Sequence, residues 1–281
     1  MTGTGVQSDP YIPTTLTEFI NAVGTAGAYV ALTQDINAAD DPAYSGEIAR
    51  ITCNCAEVDG GGHTVQGITV RDSCFFYHTI SPHSNIRNIH LRDIALKKGD
   101  STDGAAFWST MRDYAVWFYD STISLKIDLS GGRGSITHFS FFTDCALDVE
   151  YTGTGYAGNG TALFQNCVAT RLTARISGWD ATSTYVFHSG LFTRSAVIFD
   201  GAKGSFYLSY SNGTPRNLSY FAFVNYLPNG GSISTANGGN DLNLVATDAE
   251  TATVNLTSGW KKCSIDQLKD KSYLSSVGWL P

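Results

Sequence analysis

A repeat constrains this chain more than any other feature. Four short phrases line up: Phe118-Tyr119-Asp120-Ser121, Phe142-Thr143-Asp144-Cys145, Phe164-Gln165-Asn166-Cys167 and Phe187-His188-Ser189-Gly190, with phenylalanines 24, 22 and 23 residues apart. Two positions after each phenylalanine stands Asp, Asn or Ser. A β-rich run ending in Gly follows each of the first three phrases: Ile123 to Gly131, Ala146 to Gly153 and Val168 to Gly178. A fixed period of this size marks one supersecondary unit stacked on copies of itself. The units have no helical periodicity, so the stack is of strands. One apolar anchor, one turn polar and one strand per unit is what a coil of parallel β-helix requires. The alignment places Phe118, Phe142 and Phe164 in one buried column. It puts Asp120, Asp144, Asn166 and Ser189 in one turn ladder, with Cys145 and Cys167 at equivalent positions.

Composition agrees and narrows the partners. Of 281 residues, 29 are Gly and only 15% are charged, which suits a turn-rich β solenoid better than an α/β enzyme. The net charge is −7 and Lys and Arg form no run, so no nucleic-acid partner is expected. No stretch approaches the ~18 apolar residues of a membrane span, so no membrane partner is expected. The start Met1-Thr2-Gly3-Thr4-Gly5 has neither basic residues nor an apolar core, so the expectation is a chain without a secretory signal. The six cysteines and six histidines show no metal-ligand spacing, and no metal or cofactor is assigned. Without secretion, free thiols are expected.

Thr15-Leu16-Thr17-Glu18 reads as a capping box, and Leu16, Phe19, Ile20 and Val23 fall on one face of the helix it opens. Such a helix would plug the open end of the coil stack. Ser264-Ile265-Asp266-Gln267 opens a second short helix through about Leu274. The expected organisation is an N-terminal cap over 1–47, a parallel β-helix over 48–256 and a C-terminal helical cap over 257–281. The fold class is all-β, a right-handed single-stranded parallel β-helix with short capping helices at both ends.

The opening has a resemblance. It runs Gly3-Thr4-Gly5, Ser8-Asp9-Pro10-Tyr11-Ile12, the Thr-capped helix, Tyr29-Val30-Ala31-Leu32 with Asp35-Ile36, then Val58-Asp59-Gly60-Gly61-Gly62-His63-Thr64-Val65. Over roughly the first 95 residues it resembles pectate-lyase-like parallel β-helix proteins, most closely those of bacteriophage and prophage structural modules. The Gly-rich piece is no phosphate loop, since Lys-Ser/Thr is missing and no helix follows. It reads as a tight turn needing positive φ.

Three constellations invite chemistry. Asp120 and Asp144 hold equivalent positions in coils stacked ~4.8 Å apart, close enough for a paired-carboxylate hydrolase. Asn166 and Ser189 continue the same series, which favours a turn ladder instead. No catalytic residue is therefore assigned, and these two acids stand as the candidates. The second constellation is an outward strand face, with Ser124, Lys126 and Asp128 opposite Asp148 and Glu150, followed by Arg171 and Arg175. Opposite charges there read as cross-strand pairs. The third is aromatic: Trp108, Trp117 and Trp179 are the candidates for stacking on sugars.

The resemblance implies a non-enzymatic structural protein of a bacteriophage virion: a head fibre, capsid decoration, tail fibre or spike, localised to the virion. Its implied partners are further copies of itself, most readily a homotrimer, other virion proteins and cell-surface carbohydrate. The alternative is a polysaccharide-degrading β-helix enzyme, a glycan hydrolase or lyase of the tailspike type. The aromatics beyond Gly190 (Phe206, Tyr207, Tyr210, Tyr220, Phe221, Phe223 and Tyr226) are the candidate lateral contacts of an oligomer.

Overall fold

The structure, a computed structural model, describes residues 1–71, 74–79, 83–97, 105–110, 116–128, 134–135, 137–138, 140–152, 162–178, 180–200, 203–209, 216–219, 222–224, 232–233, 243–246, 255–256, 260–264, 266–267 and 270–276. It is a parallel β-solenoid. The first sheet runs through Tyr29–Ala31, Glu57–Asp59, Ser84–Arg87, Val116–Tyr119, Ser140–Thr143, Ala162–Thr170, Asp180–Thr193 and Lys203–Ser209. The second begins with Ile36–Asn37, Thr64–Gln66, His90–Leu96, Thr122–Asp128, Ala146–Thr152, Thr173–Ser177 and Ala196–Asp200, and ends at Trp260–Cys263. A third, shorter sheet orders Ile51–Thr52, Cys74–His78, Ala105–Thr110 and Gly134–Ser135. All pairings between named strands are parallel, so successive coils add rungs to the first two sheets, and four coils also add one to the third. Strand alternation fills the interior: Ile123, Leu125 and Ile127 are buried, as are Leu147, Val149 and Tyr151 in the next coil.

The N-terminal end is closed by a helix together with the first residues of the chain, which fold back on themselves through the antiparallel bridges Thr2–Ile12 and Val6–Asp9. The helix spans Leu16–Gly24 and buries Leu16, Phe19 and Val23 against the first coils, while Ile20 is half-buried. Thr15 Oγ1 accepts from the Glu18 amide at 3.3 Å, the forward half of the capping box. The reverse half is displaced by one residue: the Glu18 carboxylate accepts from the Thr14 amide at 2.8 Å. The outer edge of Tyr29–Ala31 is also satisfied. Tyr29 N–H donates to Gly5 O and Ala31 N–H to Tyr11 O, each at 2.9 Å, so the edge of this first strand is covered by the chain's own N-terminus.

From Asn88 onward, five coils turn from the first sheet to the second through a two-residue corner. Asn88, Asp120, Asp144, Arg171 and Arg194 hold it with φ between 46° and 57°. Asn and Asp accept this left-handed region at lower cost than other L-residues. The corner amides continue the ladder: Asp120 N–H donates to Thr143 O, Asp144 N–H to Thr170 O and Arg171 N–H to Thr193 O. The following side chain turns inward, as Ser121, Cys145, Leu172 and Ser195. In the earlier coil the corner is longer, with Gly61 and Gly62 at positive φ. There a Cβ on Gly60 would lie 2.3 Å from Asn88 O, so the chain crosses too closely for any side chain.

This register corrects the sequence alignment. Phe118 pairs with Phe142, but Phe142 pairs with Ala169, not Phe164. Phe164 is fully buried, yet it pairs with Phe187 and with Thr137, in mid-strand. The reason is that Ala162–Thr170 is one long strand that runs alongside both 137–138 and 140–143. Asn166 and Ser189 are therefore strand residues, and Arg171 and Arg194 take the corners after Asp120 and Asp144. Cys145 stands in the corner column with Leu172, whereas Cys167 pairs with Gly190, so the two thiols occupy different columns.

Rungs extend beyond the expected 48–256 on both sides, since Tyr29–Ala31 and Ile36–Asn37 pair into the first two sheets and Trp260–Cys263 closes the second. The C-terminal capping box is reciprocal. Ser264 N–H donates to Gln267 Oε1 at 2.9 Å and Gln267 N–H to Ser264 Oγ at 3.1 Å. A separate helix, Lys271–Ser276, follows it. Among the described residues no helix is long and apolar enough to cross a membrane.

Candidate groove on the outer face of the second sheet

Of the charges expected to point outward, Lys126, Asp148, Glu150 and Arg175 line a groove of about 550 Å³, formed together with Asp93, Ser124, Ser177, Ile94, Ala95 and Leu125. Two rows cross the strands. In one, Ser124 faces Asp148 and Asp148 faces Arg175; in the other, Lys126 faces Glu150 and Glu150 faces Ser177. Lys126 Nζ lies 3.5 Å from Glu150 Oε2, with both side chains more than half exposed. A second hollow of about 280 Å³ continues the groove past Thr122, Ala146, Thr173 and Ile198, and shares Ser124, Asp148 and Arg175 with the first.

One wall of the groove was not foreseen. Pairing between His90–Leu96 and Thr122–Asp128 slips between Ile123 and Leu125, so that Arg92 and Asp93 together stand against Ser124. Asp93 takes a left-handed φ of 53°. Such a bulge turns two successive polar residues outward while Leu91 and Ile94 both stay inside. The signal lay in the sequence as a broken alternation, two polar residues between Leu91 and Ile94 where one would fit a plain strand.

The hydrolase candidates are elsewhere. Asp120 and Asp144 are exposed corner residues, outside the groove. The Arg171 guanidinium grips the Asp144 carboxylate through Nε and Nη2. That pair holds the Asp144 carboxyl below its ordinary range, first through the hydrogen bond and also through charge. Arg171, expected on the strand face, is a corner residue instead. Its neighbour Arg175 does reach the groove.

Trp117 is half-buried and points outward from the first sheet. The His83 imidazole stacks on it at 3.6 Å, and Phe141 lies 4.8 Å from it. Both neighbours compete with a sugar for the indole, whose buried Nε1–H has no hydrogen-bond partner among the described residues. Trp108 lies on the third sheet opposite Phe76, but its side chain is outside the described residues, as is all of Trp179. Of the proposed lateral aromatics, Phe206, Tyr207 and Phe223 have only their strands described, and Tyr210, Tyr220, Phe221 and Tyr226 lie outside the described residues. Among the described residues, no group of three His, Cys, Asp or Glu side chains could hold a metal ion.

No protein-family profile matches the chain, and no curated protein matches it. Among solved structures it is similar to a candidate immunoglobulin A1 protease from Bacteroides ovatus. The TM-score is 0.43 at 14% identity, over 98% of this chain and 89% of that one.

Proposed function

We propose that this chain is a non-catalytic β-solenoid that contacts an extended glycan, of the kind that serves as fibre, spike or decoration on a bacteriophage virion. The observation that carries the glycan contact is the groove, open along several coils and lined by alternating polar and charged side chains. Rungs about 4.8 Å apart offer a repeating set of contacts to a repeating polymer. The virion setting is supported by the sequence resemblance of the first coils. The same resemblance supports a lateral homotrimer, with the aromatic segment beyond Gly190 as the contact region. A glycan panel applied to the purified chain, with light scattering on the same sample, tests both parts. Binding that Arg175→Gln weakens supports the groove, and a stable monomer removes the trimer.

One observation favours a second reading, a polysaccharide hydrolase. Asp148 and Glu150 occupy alternate positions on one strand, about 6.6 Å apart by the rise of a strand, within the range of an inverting pair. It stands second because Glu150 already faces the Lys126 ammonium. Release of reducing ends from any bound polysaccharide, abolished in Asp148→Asn, would establish it over the non-catalytic reading.

A further inference from the structure

The groove carries both signs of charge, and their placement restricts what can lie in it. Three carboxylates, Asp93, Asp148 and Glu150, share it with the cations of Lys126 and Arg175. Glu150 and Lys126 partly answer each other at 3.5 Å. Among the described residues, the Asp93 and Asp148 side chains have no hydrogen-bond or ion-pair partner. Asp148 and Arg175 also line the adjoining hollow, which puts them in the middle of the continuous groove rather than at its rim.

We infer that the groove selects a zwitterionic glycan, one whose repeat carries a free amine beside a carboxylate. The inference rests on the reading that the groove binds carbohydrate. A polyanionic chain would bring like charge against Asp93 and Asp148, and a polycationic one against Lys126 and Arg175. A neutral chain would cover charged groups and leave them short of the water they lose. An amine facing the Asp93–Asp148 side and a carboxylate facing Arg175 or Lys126 meets each group with its opposite. Neighbouring coils are about 4.8 Å apart, so both substituents can be engaged within a short stretch of polymer.

The test uses the full chain and four oligosaccharide probes of matched length in calorimetric titrations at low salt. The probes are de-N-acetylated hyaluronan (amine and carboxylate), hyaluronan (carboxylate only), chitosan (amine only) and chitin (neutral). The expected result is binding of the de-N-acetylated hyaluronan at least about tenfold tighter than any of the others. Asp148→Asn should remove the advantage over hyaluronan, and Arg175→Gln the advantage over chitosan. Both residues are exposed, and unchanged melting temperatures confirm that the variants fold. Equal or tighter binding of hyaluronan, chitosan or chitin overturns the inference and leaves the carbohydrate reading standing. Binding of none of the four to the unaltered chain overturns the inference and counts against that reading. A different glycan found by the panel would restore the reading alone.

Discussion

The rings of Phe118 and Phe142 lie stacked in adjacent coils, with centroids 5.4 Å apart and planes inclined by 12°. Both are fully buried, and each sits two residues before its corner aspartate, Asp120 or Asp144. Phe164 is equally buried but packs edge-on against Phe192, also at 5.4 Å. Two separate aromatic contacts therefore replace the single column that the spacing suggests.

That separation can be measured. Phe142→Ala and Phe164→Ala should each cost about 3–5 kcal/mol in denaturant unfolding, through lost transfer energy and the cavity left behind. A double-mutant cycle between Phe118 and Phe142 should show coupling of about 0.5–1.5 kcal/mol. The cycle between Phe142 and Phe164 should be additive within about 0.5 kcal/mol. Strong coupling in the second cycle would restore the single column.

The corners make a backbone prediction. Arg194 holds φ at 50° with an exposed side chain. Arg194→Gly relieves the left-handed cost but loosens the unfolded chain, so stability should stay level or rise by up to about 1 kcal/mol. Arg194→Val should lose about 1–2 kcal/mol, since a β-branched residue resists this region most. Equal melting temperatures for the two variants would show that the corner is not left-handed.

The Asp144–Arg171 pair sets an acid limb. Arg171 depresses the Asp144 carboxyl in the folded state, so the pair stabilises fully at pH above the ordinary carboxylate value, near ~3.9. That contribution is lost as pH falls from there through the lower folded value. Side chains 50% and 37% exposed keep the pair's contribution small, because solvent screens it. The stability difference between the unaltered chain and Arg171→Gln should be constant from about pH 8 to 5 and shrink below about 4. A difference that grows on acidification would assign the pair the wrong sign.

The buried thiols should be slow to react. Burial pushes Cys145 up to about 11, and Cys53 is raised by its hydrogen bond with Cys55 and by burial. At pH 8 iodoacetamide should leave Cys53, Cys55 and Cys145 unlabelled in the folded chain and label all three once it is unfolded, as read by mass spectrometry. Rapid labelling of Cys145 in the folded chain would place it at the surface.

The sequence by itself determined the solenoid, the helix that plugs its first end and the outward charges. Each of these is a local property. Alternation with period two sorts Ile123, Leu125 and Ile127 from Ser124, Lys126 and Asp128 whatever the rest of the chain does. Thr15 and Glu18 mark a helix start for reasons confined to one turn. Only the tertiary structure decided the register between coils. A phenylalanine two residues before a polar group fits the middle of a strand as well as its end, so Phe164 could imitate Phe142 while its neighbours paired elsewhere. Which residue turns a corner depends on where the rung below ends. That is why two arginines, Arg171 and Arg194, poor residues for a left-handed bend, hold corners of the solenoid. The groove has the same origin: Asp93, Asp148 and Arg175 are distant in the chain, and stacked parallel strands with one bulge bring them to a common face.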